Sequence, residues 1–143
     1  MTNFDDIIDV ALDVVDDYKL FKLHDQNIEN FQAYCDGFLI QGIPQFTDCR
    51  QSLDYDAQAR TFSSDLTVLE KFILSRYWLI AWWERETNNS AQIALKLGLK
   101  NQYSYNSESQ NFKEKQNVID KLREEVSRAI QQYLLLDIDS YGF

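Results

Sequence analysis

The chain has 143 residues and 16.9 kDa, the size of one domain with about two-thirds of its unfolded surface buried on folding. Apolar residues make up 45% and charged residues 26%, which excludes wholesale disorder, while four Gly and one Pro are too few for the turns of an all-β sandwich. A net charge of −9 excludes a simple nucleic-acid binder, because such a protein needs a basic face to neutralise phosphates.

Residues 1–17 hold six aspartates (Asp5, Asp6, Asp9, Asp13, Asp16 and Asp17) and no Lys or Arg. Phe4, Ile7, Ile8, Ala11, Leu12 and Val15 recur between them at helical spacing, so an amphipathic helix with one acidic face is expected. Thr2 or Asn3 can cap it. No basic and then apolar stretch follows Met1, so the start of the chain does not read as a signal peptide. Residues 18–25 read as a turn ending in Asp25, a candidate N-cap. A second helix follows from about Gln26 to Leu39 or Gln41, with Ile28, Phe31, Tyr34 or Cys35, Phe38 and Leu39 on its apolar side. Gly42 and Pro44 end it.

Residues 44–64 form the longest stretch without helical periodicity. Leu53, Tyr55 and Phe62 alternate with polar residues there, which suits a small hairpin and surface for a neighbouring subunit. Thr67 to Glu70 spells the capping box T-x-x-E. The helix it opens, about Val68 to Thr87, is apolar at ten of the twelve positions from Phe72 to Trp83. It should be central and touched on several sides. Its apolar run covers about 18 Å, too short for a hydrocarbon core of about 30 Å. Trp78, Trp82 and Trp83 are either core or, in part, a subunit interface.

Asn88, Asn89 and Ser90 suggest a break, with a short helix over 91–97 stopped by Gly98. A final helix is expected from about Ser107 to Leu135. Its seam is Phe112, Ile119, Leu122, Val126, Ala129 and Tyr133, and Lys121–Glu125 and Glu124–Arg128 pair across its other face. Asp137, Ile138, Asp139, Ser140, Tyr141, Gly142 and Phe143 then read as an extended tail with apolar residues and no element left to fold onto. The expected fold is all-α. It is a bundle of about four to five helices over 1–136, with a long C-terminal helix, one long loop at 44–64 and a tail at 137–143.

The chemical inventory is thin. One histidine, His24, and two cysteines, Cys35 and Cys49, cannot build a structural zinc site. Both thiols are expected to be reduced, as in the cytosol. The glycines form no phosphate loop, and Asp54-Tyr55-Asp56 lacks the Gly and Glu of a calcium loop. No catalytic, metal or cofactor residue is expected, and no enzymatic activity.

Several strings in order carry a resemblance. They are Asp16-Asp17-Tyr18-Lys19-Leu20, Gly37-Phe38-Leu39 through Ile43-Pro44-Gln45-Phe46, and Cys49-Arg50-Gln51-Ser52-Leu53-Asp54-Tyr55-Asp56. Phe62 with Leu66-Thr67-Val68-Leu69-Glu70-Lys71, Trp82-Trp83-Glu84, and Tyr105-Asn106-Ser107-Glu108-Ser109-Gln110-Asn111-Phe112-Lys113-Glu114-Lys115 complete the set. Together, over roughly residues 16–133, the chain resembles head–tail connector (adaptor) proteins of tailed bacteriophages of Gram-positive hosts. None of the strings is a catalytic signature; their order carries the likeness.

The resemblance implies a virion protein of the head–tail neck, made in the host cytoplasm. About twelve copies would close into a ring beneath the portal protein, by heterologous contacts that a rotation closes. It also implies a downstream neck or tail-completion protein as partner, DNA passing through without specific binding, and no membrane. The portal-docking role would fall on residues 137–143. The residues themselves suggest the aspartates of 1–17 as channel lining, since like charge removes the attraction for phosphates. The rival reading is a small acidic inhibitor or DNA mimic that binds a basic partner.

Overall fold

A computed structural model describes residues 1–15, 25–98 and 102–140, without the side chains of 89–98, 102–109, 111 and 137–140. Four helices account for most of them: α1 (Phe4–Leu12), α2 (Ile28–Gly42), α3 (Val68–Gly98) and α4 (Gln102–Ser140). A three-stranded antiparallel sheet of β1 (Thr2–Asn3), β2 (Tyr55–Asp56) and β3 (Thr61–Phe62) has the order β1-β3-β2. The mostly helical fold with a long C-terminal helix and a hairpin in the 44–64 loop agrees with the sequence reading.

Helix α1 buries Phe4, Ile7, Ile8 and Ala11 and leaves its aspartates outside, as its periodicity requires. Its start differs from expectation. Asn3 sits at the N-cap without a side-chain bond, and the Phe4 amide donates to the carbonyl of Arg60 at 2.9 Å. Thr2 is buried instead, donating to the Ser64 carbonyl and accepting from the Leu66 amide, both at 2.8 Å. Residues 2–3 are thus a strand edge. They tie the chain start to the hairpin, pairing Thr2 with Phe62 and Asn3 with Thr61.

Helix α2 is capped by Asn27, not Asp25. The Asn27 side chain accepts from the amides of Glu29 at 3.0 Å and Asn30 at 3.2 Å. At its other end Gly42 lies against α3, where a Cβ would meet Tyr77 Cβ at 3.0 Å. Pro44 follows within a short 3₁₀ turn, Ile43–Gln45.

Helix α3 opens with the expected capping box. The Thr67 amide donates to Glu70 Oε1 at 2.8 Å, and the Glu70 amide to Thr67 Oγ1 at 3.2 Å. The expected break at 88–90 is absent, and the helix runs unbroken to Gly98 over 31 residues. Asn and Ser weaken a helix by only about 0.5 kcal/mol each, too little to stop one whose backbone meets no Pro or Gly before position 98. Its buried hydroxyls are satisfied locally: Ser75 donates to the Phe72 carbonyl at 2.6 Å and Thr87 to that of Trp83 at 2.7 Å.

Helix α4 is also longer than expected, 39 residues or about 58 Å. It begins at Gln102 rather than Ser107 and continues past Leu135 to Ser140. The backbone of 137–140 is therefore helical and not an extended tail. Nothing between Leu134 and Ser140 is Gly or Pro, so the helix has no local reason to stop there. Glu70 meets Tyr133, Arg76 meets Glu125 and Glu84 meets Arg123, so α3 and α4 run antiparallel. The seam Ile119, Leu122, Val126, Ala129 and Tyr133 is buried between them, as the spacing foretells.

Candidate functional site

Three surfaces and one buried knot gather the residues singled out by sequence. The first surface is the acidic side of α1, where Asp5, Asp6, Asp9 and Asp13 are all exposed. Asp5 is already engaged: the Arg60 guanidinium donates to its carboxylate at 2.7 and 3.1 Å. The same guanidinium reaches Asp36 on α2 with two bonds of 2.8 Å. These two carboxylates push the already high Arg60 value higher still. Partial burial and then the neighbouring Asp5, Asp13 and Asp6 raise the Asp9 carboxyl. Asp16 and Asp17 lie outside the described residues.

The second surface was expected from aromatic residues, and here the structure corrects the assignment. Trp78, Trp82 and Phe62 are core and offer nothing to a neighbouring subunit. The Trp78 indole N–H donates to the Cys35 carbonyl at 2.8 Å, which satisfies its one polar group inside the core. Phe62 packs on Phe4 with ring centroids 5.1 Å apart. Trp83 and Leu53 are half-buried, and Tyr55 keeps 42% of its surface exposed. The physical reason is the nearly all-round apolar helix α3. Helices α1, α2 and α4 each cover a part of it, so large side chains on several faces become core.

The third surface lies at the C-terminal end of α4. Leu134, Leu135 and Leu136 are 46%, 57% and 45% exposed, three adjacent leucines at the root of the segment 137–143. The side chains of that segment lie outside the described residues.

Beneath this end sits the knot, which sequence reading caught only in part. Glu70 is 1% exposed, yet it is a cap residue. Its carboxylate accepts from the Thr67 amide at 2.8 Å, Gln51 Nε2 at 2.6 Å, Tyr133 Oη at 2.7 Å and Cys49 Sγ at 3.4 Å. Burial by itself would raise this carboxyl, but those donors hold it below the usual glutamate value. Burial and then the Glu70 carboxylate push the Tyr133 phenol upward. Arg50 completes the arrangement. Its amide donates to Tyr133 Oη at 2.9 Å, its guanidinium donates to the Tyr133 carbonyl at 2.6 Å, and it stands 4.4 Å over the Tyr133 ring. The T-x-x-E string announced the cap. Arg50 and Tyr133 are 83 residues apart, and no local signal joins them.

The two thiols are poorly placed for chemistry. Burial pushes Cys35 up to about 12 and Cys49 up to about 11, so both stay protonated near neutrality and neither is an activated nucleophile. A cleft of about 600 Å³ between α2, α3 and α4 is lined by Gly42, Tyr77, Ile80, Glu84, Arg123 and Val126 among others. Among the described residues no group of three His, Cys, Asp or Glu is placed to hold a metal ion, and no helix is long and apolar enough to cross a membrane. No protein-family model matches the chain, and neither curated proteins nor solved structures give a match.

Proposed function

We propose that this chain is a structural protein of a bacteriophage head–tail neck, an adaptor that forms a ring beneath the portal and extends the DNA channel toward the tail. Its role is mechanical: it binds, closes and leaves a path for DNA, and no bond is made or broken. The ordered strings over residues 16–133 support the family reading. The observation that carries the docking role is the exposed run Leu134-Leu135-Leu136 on the last described turn of side chains of α4. Apolar surface of this kind gains about 25 cal/mol for each Å² removed from water, so it favours a covered state.

The test is co-expression with the portal protein of the same genome, imaged by electron microscopy, beside a matched chain ending at Tyr133, which lacks the three leucines as well as the segment 137–143. We expect the full chain to cap the portal as a ring and the shortened chain to leave it bare. A full chain that elutes alone and leaves the portal bare would overturn the adaptor reading. The acidic face of α1 would then be screened against basic DNA-binding proteins, as the DNA-mimic reading requires.

A further inference from the structure

The cleft between α2, α3 and α4 belongs to none of the three surfaces above. Its floor is apolar: Ile80 and Val126 line it at 7% and 5% exposed, with Ala81 among the lining. Its walls are different. Gln41 and Gln45 stand on one, at the end of α2 and in the 3₁₀ turn after it, and Ser127 stands on the other, on α4. All three are exposed, and among the described residues none hydrogen-bonds their side chains. Two carboxamides and a hydroxyl thus line one concave space with their donors and acceptors unused. An apolar floor with a few polar groups around it is the usual make-up of a binding site.

The chemistry of the walls selects the ligand. The charged groups of the lining are Glu84 and Arg123, and these pair with each other. A phosphate or a carboxylate therefore meets no unpaired cation there, in a chain of net charge −9. What remains is neutral. A carboxamide offers an acceptor and an N–H donor side by side, which is the complement of a peptide unit. The spacing fits the same ligand. Gln41 and Gln45 are four residues apart, about 6–8 Å along a helix that tightens to 3₁₀. An extended chain presents equivalent peptide groups at every second residue, about 6.6 Å apart. Two carboxamides at that distance meet alternate peptide units of one extended segment. Its side chains alternate as well, so one of them points at the floor while its neighbours point away.

We propose that this cleft binds an extended, uncharged peptide segment of another protein. Gln41, Gln45 and Ser127 hold its backbone, and one apolar side chain rests on Ile80, Ala81 and Val126. The proposal goes beyond the neck reading and does not depend on it.

The test presents the full chain with a library of seven-residue peptides, capped at both ends, and measures the retained sequences by fluorescence polarisation. We expect retained peptides free of Asp, Glu, Lys and Arg, with one apolar residue at a fixed place. Gln41→Ala with Gln45→Ala should weaken the best peptide at least about tenfold, as the loss of two hydrogen bonds requires. Methylating every second backbone nitrogen of that peptide should weaken it as much in at least one of the two registers. Ser127→Trp should abolish binding by filling the cleft from its open side, and Arg128→Ala, outside the lining, should leave it within about twofold. The substituted side chains are all exposed, and equal thermal melting keeps a folding defect out of the result. A library with no retained peptide overturns the proposal. So does a peptide that binds the double alanine chain or the Ser127→Trp chain as tightly as the wild type. Charged peptides whose affinity survives methylation in both registers would mean recognition by side chains, and would overturn it too.

Discussion

The Glu70 carboxylate collects hydrogen bonds from a backbone amide, an amide side chain, a phenol and a thiol, while almost none of it touches water. A carboxylate removed from water is costly unless its lone pairs are filled, and these donors fill them. Replacing it by Gln leaves an amide that cannot accept from all of them. We expect Glu70→Gln to lower stability by about 1.5–3 kcal/mol at neutral pH, read from urea denaturation. The pH dependence follows from the depressed native value. Such a group stabilises fully above its unfolded value near 4.5, and that contribution is lost as pH falls through the lower folded value. The urea midpoint of the wild type should therefore drop below about pH 4.5, and the drop should be shallower in Glu70→Gln. Equal slopes in the two proteins would show that Glu70 is not the group responsible. The cap was legible because T-x-x-E is local. The rest of the knot was not, because Gln51, Cys49 and Tyr133 reach Glu70, and Arg50 reaches Tyr133, across 19 to 83 residues of chain.

At the scale of elements, one arginine joins three of them. Arg60 closes the β2–β3 hairpin in the left-handed region, with φ 57°. Its carbonyl receives the first amide of α1, and its guanidinium bridges Asp5 on α1 and Asp36 on α2. A glycine would suit that backbone better by about 1 kcal/mol, so the arginine is held there by its side-chain bonds. Asp5 is half exposed and adds little, whereas Asp36, 14% exposed, would be left with a poorly solvated charge. Arg60→Gly and Arg60→Ala should both destabilise, and the alanine variant by about 1 kcal/mol more. Thermal melting distinguishes them; a glycine variant more stable than the wild type would mean that the bridge contributes nothing. The sequence made α1, α2, the capping box and the α4 seam readable, because each rests on periodicity or on contacts within one turn. It misled at 88–90 and 137–140, where polar residues of modest helix propensity, with no Gly or Pro among them, continue a helix instead of ending it. It was silent on β1, whose two residues become a strand only because β3 offers an edge.

The whole molecule carries its negative charge unevenly. Residues 1–15 hold four aspartates and no basic residue, and Arg60 claims only Asp5 of these. Asp6, Asp9 and Asp13 remain on an exposed helical face. In a ring, such a face repeats with the symmetry, so a lumen lined by it would repel the phosphates of passing DNA at every subunit. The repulsion should matter most at low ionic strength, where the screening length is longest. Changing Asp6, Asp9 and Asp13 together to Lys reverses the face without touching the buried side of α1, where Phe4, Ile7, Ile8 and Ala11 hold the fold. Necks assembled on the portal from this triple variant should retain double-stranded DNA at low salt and release it steeply as salt rises. Wild-type necks should retain none at any salt. If the lysine necks also retain none, although the isolated variant chain binds DNA, then α1 faces outward and another surface lines the channel.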